Sequence, residues 1–112
     1  SAASGSQVFY SGNCEDSKQL GEYIQSSIIS LLQPENKRVN KKATSSTYLL
    51  YNATVPAVLV ECGFLSNYEE AEKLLTEAYQ DKIAYAICQG VLAYLNGKNP
   101  STTAGDITTS VY

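Results

Sequence analysis

The 112 residues are enough for one small domain and too few for two. Hydrophobic residues make up 44% and charged residues 17%, which excludes a wholly disordered chain, and no apolar run approaches the roughly 20 residues of a membrane span. The net charge of −3 argues against the broad basic face that nucleic-acid binding uses, so no nucleic-acid partner is expected.

Histidine is absent, which removes the commonest general base and the commonest zinc ligand. Ser-His-Asp and Cys-His catalysis are thereby excluded within these residues. The three cysteines, Cys14, Cys62 and Cys88, form no CxxC pair and are expected to be mostly buried, free thiols that pack as small apolar groups. Ser1 to Gly5 has neither a charged start nor an apolar core, so no signal peptide is expected, and the missing initiator Met suggests a processed product or a piece of a longer protein.

In chain order, Ser6 to Tyr10 is a short β-prone run bounded by Gly5 and Gly12. Glu15 to Gln33 predicts an amphipathic helix: Leu20, Tyr23, Ile24, Ile28, Leu31 and Leu32 recur at helical spacing, two acids sit in the first turn and Pro34 stops it. Glu35 to Thr47 is a polar loop holding Lys37, Arg38, Lys41 and Lys42. It reads either as a solvated loop or as a lip that meets an anionic ligand. Tyr48 to Tyr51 is read as a second strand. Ala57 to Val60 is a continuous apolar run that fits a strand buried on both faces.

Ser66 with Glu69, or Asn67 with Glu70, supplies a capping box for a short helix over Tyr68 to Leu75. Thr76 caps a longer helix to about Asn96, with Tyr79, Ile83, Ile87, Val91 and Tyr94 on one face and Gly97 at its end. The tyrosines at 23, 79, 85 and 94 are read as packing residues, and Phe64 and Leu65 as core. Residues 98–112, rich in Ser and Thr, read as a tail or linker. The pattern predicts an α/β domain over residues 1–97, three-layered, with a mostly parallel sheet flanked by helices.

Glu61 stands out. It ends the buried strand, and open α/β sheets bind ligands at the carboxyl ends of their strands. A carboxylate there is placed to act as a general base or to hold a metal. The alternative is a structural carboxylate paired with Arg38 or a lysine of the basic loop. Gly63 permits a positive φ that would set how Glu61 points, or is a plain turn glycine.

Val55 to Asn67, VPAVLVECGFLSN, resembles the signature of zinc-dependent N-acetylmuramoyl-L-alanine amidases of the amidase-3 family. Ser4 to Tyr10 resembles that family's strand after its last zinc histidine, Asn36 to Leu50 its basic loop, and Glu69 to Asn96 its closing helices. The resemblance covers about Ser4 to Asn96, the C-terminal part of a catalytic domain with about six strands. It implies a bacterial peptidoglycan hydrolase that cuts the amide between N-acetylmuramic acid and L-alanine of the stem peptide.

It further implies one zinc ion held by two histidines and a glutamate, with a second glutamate assisting the zinc-bound water. Glu61 matches that second glutamate. Arg38, Lys41 and Lys42 match the basic loop, where contact with the anionic stem peptide is the implied role. The zinc ligands have no counterpart here, so the resemblance places no metal ligand in this chain and the isolated chain is expected to be inactive. Peptidoglycan glycan and stem peptide are the implied partners, and the location is extracytoplasmic, secreted or wall-associated. Two other readings remain open. One is a non-catalytic wall-binding module. The other is a partial sheet that assembles with the missing half or with a second copy of itself through an unpaired edge.

Overall fold

A computed structural model describes residues 3–98 and 108–111. The elements are β1 (Gln7–Tyr10), α1 (Glu15–Leu32), β2 (Lys41–Lys42), α2 (Tyr48–Asn52), β3 (Ala57–Glu61), α3 (Tyr68–Leu74), α4 (Glu77–Lys98) and β4 (Thr108–Val111). The sheet order is β2-β1-β3-β4.

Alternation along the strands decides the layers. Val8, Val58 and Val60 point to one face and meet Leu20, Ile24 and Ile28 of α1 and Ile83, Ala86, Ile87, Tyr94 and Leu95 of α4. The two helices touch closely at Gly90, where a Cβ would lie 2.7 Å from the Ile24 Cα. Phe9, Ala57 and Leu59 point to the other face, where, among the described residues, Ala43, Ala53 and Leu50, the last from the five-residue α2, pack with them. The three layers are therefore unequal: two long helices on one face and one short helix on the other.

The sheet is mixed, with two of its three strand pairings parallel. β1 pairs with β2, and β3 with β4, in parallel, but the central β1–β3 pair is antiparallel, with Gln7 opposite Glu61 and Tyr10 opposite Val58. The cause lies between β2 and β3. A parallel return needs a crossover that carries the chain back along the sheet. The stretch from β2 to β3, whose one helix is the five-residue α2, does not carry the chain back. So β3 starts at the end of the sheet where β2 stops and runs the other way.

Tyr48–Asn52 is helical, not the expected strand. Its aromatic composition favours strands, but that preference reflects packing on a pleated surface. Here only Leu50 faces the sheet, Leu49 is 84% exposed, and Tyr51 N–H bonds to the Thr47 carbonyl at 2.8 Å. Gly97 does not end α4, which continues through Lys98, and its missing Cβ leaves room for the Tyr23 hydroxyl. Tyr23 meets Tyr94 edge-on, ring centroids 6.4 Å apart. Tyr85 is exposed and does not pack in the core, and Leu31 is also exposed.

Of the cysteines, only Cys62 is buried; Cys14 is half-buried and Cys88 exposed, all three free. Most of the segment read as a tail lies outside the described residues, but Thr108–Val111 within it pairs with β3.

Candidate active site

Glu61 is the last residue of β3 and shares its face with Leu59 and Phe9, away from α1 and α4. It is half-buried, and its carboxylate has no hydrogen bond or ion pair among the described residues. The expected alternative, a salt bridge to Arg38, is not formed there. Arg38 is committed elsewhere: its guanidinium lies 4.6 Å from the centre of the Phe64 ring, and its Nε donates to the Ser4 carbonyl at 3.0 Å. Its Nη1 reaches Gln7 Oε1 at 3.5 Å, and Gln7 is the residue directly opposite Glu61.

The other two basic residues divide between the faces. Lys41 pairs in register with Phe9 and so shares the Glu61 face. Lys42 pairs with Tyr10, and its side chain lies over Gly12, where a Cβ would sit 2.5 Å from Cε. The fold thus brings Arg38 to the Glu61 end and Lys41 to its face, and sends Lys42 to the opposite face.

The segment entering β1 is held by a dense set of amide side chains. Gln33 Oε1 accepts from Ser6 N–H at 2.9 Å, and Gln25 Nε2 and Asn36 Nδ2 both donate to the Ser6 carbonyl at 3.0 Å. Ser6 Oγ donates to the Cys62 carbonyl at 2.6 Å, tying this segment to the chain leaving β3. Gly5 makes the turn at φ +88°, which a side chain rarely tolerates. Buried amides are satisfied in this way because an unpaired polar group away from water is costly.

After β3 the chain turns through Cys62 to Asn67. Gly63 has no positive φ. Its requirement for glycine is steric: a Cβ would lie 2.6 Å from Glu70 Oε1. Phe64 is half-buried against Arg38, and Leu65 is 81% exposed rather than in the core. Asn67 caps α3 by accepting from Glu70 N–H at 3.2 Å, the second of the two expected frames. The Glu70 carboxylate does not close the box. It accepts from Gly5 N–H at 2.9 Å and Phe64 N–H at 2.7 Å. The Asn67–Glu70 spacing pointed to Glu70, but only as a cap. Gln7, Gln25 and Gln33 carried no signal in the sequence.

A polar cleft of about 730 Å³, lined among others by Ser4, Gln33, Arg38, Asn67, Glu70 and Tyr79, opens between the segment entering β1, the end of α1 and α3; Glu61 does not line it. No group of three His, Cys, Asp or Glu side chains among the described residues is placed to hold a metal ion. The nearest thiol, Cys62, is pushed up to about 11 by burial and stays protonated at neutral pH, a poor metal ligand. The donor set of the described residues therefore does not form a zinc site.

The family model for N-acetylmuramoyl-L-alanine amidase matches residues 1–93. The germination-specific N-acetylmuramoyl-L-alanine amidase of Bacillus subtilis is 40% identical over 95 residues, 85% of this chain and 39% of the relative. The amidase LytC of the same organism is 33% identical over 96 residues, 84% of this chain and 19% of the relative. Among solved structures, the CwlD amidase of Clostridioides difficile in complex with the GerS lipoprotein superposes with a TM-score of 0.81 at 41% identity. That match covers 87% of this chain and 49% of CwlD. An N-acetylmuramoyl-L-alanine amidase of Clostridium difficile 630 gives 0.77 at 36% identity, covering 88% of this chain and 52% of the other. The chain thus spans about half the length of these structures and less of the curated relatives.

Proposed function

This chain belongs to the N-acetylmuramoyl-L-alanine amidase family, and from that premise we propose that it supplies the proton-transferring part of a peptidoglycan amidase. The bond cut joins the lactyl group of N-acetylmuramic acid to L-alanine of the stem peptide. The observation that carries this reading is Glu61: a half-buried carboxylate at the end of β3, free of any partner among the described residues, within the matched region.

A carboxylate committed to a salt bridge is a weak base; one held in place without a partner is available. Glu61 accepts the proton of the attacking water as its oxygen bonds to the amide carbon. It returns a proton to the amide nitrogen as the carbon–nitrogen bond breaks, so that the leaving group departs as a neutral amine. Arg38 and Lys41 bear positive charge at the same end and on the same face, and meet carboxylates of the stem peptide.

The zinc dependence implied by the resemblance needs ligands that the described residues do not bring together. They come from residues beyond these 112, in a longer form of the polypeptide or in a second one. The isolated chain is accordingly inactive, and the active assembly works outside the cytoplasmic membrane, at the wall. No helix among the described residues is long and apolar enough to cross a membrane.

The intact mass of the protein isolated from its source under protease inhibition, followed by assay on purified peptidoglycan, tests this. A mass well above 12.1 kDa with amidase activity that Glu61→Gln abolishes is the expected result. Activity from the pure 112-residue chain overturns the division of labour, and an active Glu61→Gln assembly overturns the role of Glu61.

A further inference from the structure

We propose that Glu70 is the positioning residue for Glu61. This rests on the reading of Glu61 as the group that moves the proton. Glu61 leaves the sheet at a point bounded by two backbone segments: the one entering β1 just before Gln7, its register partner, and the one leaving β3 through Phe64. The Glu70 carboxylate spans the two, one oxygen on Gly5 N–H at 2.9 Å and the other on Phe64 N–H at 2.7 Å.

Hydrogen bonds to an ionised acceptor are about twice as strong as neutral ones, and a carboxylate has two oxygens to divide between two segments.

The simpler role for Glu70, closing a capping box on Asn67 N–H, is not used. That N–H donates instead to the Phe64 carbonyl at 3.0 Å, which leaves both carboxylate oxygens for the tertiary contacts. Arg38 does not take the carboxylate either, since its donors go to Ser4 and Gln7. Gly63 completes the arrangement: only a residue without Cβ lets the carboxylate approach, since a Cβ would lie 2.6 Å from Oε1. One residue acts through the backbone on another, and Glu70 itself touches no reacting atom.

The test uses the full 112-residue chain for dynamics and the active assembly for kinetics. In Glu70→Ala, amide exchange at Gly5 and Phe64 accelerates about ten- to a hundred-fold, while Val8 and Val60 keep their protection. The side-chain carboxyl NMR signal of Glu61 shifts or broadens in the same variant. Gly63→Ala reproduces both effects by pushing the carboxylate away, and the double variant is no worse than Glu70→Ala alone.

In the assembly, Glu70→Ala lowers kcat by about a hundred-fold with KM little changed, and Glu70→Gln, which keeps one acceptor oxygen, recovers part of it. Unaccelerated amides, an unmoved Glu61 signal, additive effects of the two substitutions, or a change in KM alone overturns the proposal. If Glu70→Ala does not fold, Gly63→Ala and Glu70→Gln carry the same comparison. An inactive wild-type assembly removes the role of Glu61, whereas the exchange pattern and the Glu61 signal still decide whether Glu70 holds the strand end.

Discussion

Glu61 and Glu70 carry the same functional group in opposite circumstances. The Glu70 carboxylate is engaged by two backbone donors, one on each oxygen, and that of Glu61 has no partner among the described residues. Glu61→Gln should therefore leave the melting temperature of the chain almost unchanged, a stability effect within about 0.5 kcal/mol, while lowering turnover in the active assembly by about 10²- to 10⁴-fold. Calorimetry and peptidoglycan assay read the two effects separately.

Cys62 makes a pH prediction. Burial raises its pKa from 9.0 to about 11 in the folded chain, so the unfolded thiol ionises first. The folded state then holds more protons than the unfolded one between these values. The contribution is fully present below pH 9 and is lost as pH rises towards 11. A denaturation series across that range should show a decline that Cys62→Ala abolishes, and at pH 8 an alkylating reagent should label exposed Cys88 well before Cys62. The place of Glu61 at the end of a strand was legible in the sequence because a charged residue ending an apolar β-branched run is a local pattern. The use of Glu70 was not, because its Gly5 contact joins residues 65 positions apart.

At the scale of elements, the long helices were legible and the short segments were not. α1 and α4 bury continuous stripes, and eighteen and twenty-two residues give the period room to show. The β-prone run at Tyr48 had four residues to speak with, and a single buried Leu50 decided its state. The α1–α4 contact makes a prediction of its own. Gly90→Ala places a Cβ against backbone, 2.7 Å from the Ile24 Cα and 3.0 Å from the Tyr23 carbonyl oxygen. Neither can move without separating the helices, so the substitution should cost about 1–3 kcal/mol in urea denaturation. Gly12→Ala meets only the flexible end of Lys42 and should stay within about 0.5 kcal/mol. At α3, Asn67→Ala removes the cap on Glu70 N–H and should cost about 1 kcal/mol.

Among the described residues the molecule is one-sided. Their core lies between the sheet and the α1–α4 pair, while they cover the Glu61 face only near Leu50, Ala53 and Ala57. The half-buried Glu61 thus lies on the thinly covered face, and the relatives whose structures superpose are about twice as long. Zinc salts added to the purified chain should produce no amide hydrolysis and no stoichiometric binding by calorimetry, because no three donor side chains converge among the described residues. On the proposed reading, activity should appear only when a polypeptide supplying metal ligands is added.

The sequence by itself determined the α/β class, the two long helices, the buried strand with Glu61 at its end, the family and the absence of any histidine ligand. Each is written in local pattern or in composition, where neighbouring residues suffice. Only the tertiary structure decided the antiparallel β1–β3 pairing, the helical state of Tyr48–Asn52, the separation of Lys41 from Lys42 and the double engagement of Glu70. Those follow from which segments meet across the sheet, and contact energies between distant residues outweigh the small local preferences that a short segment can express.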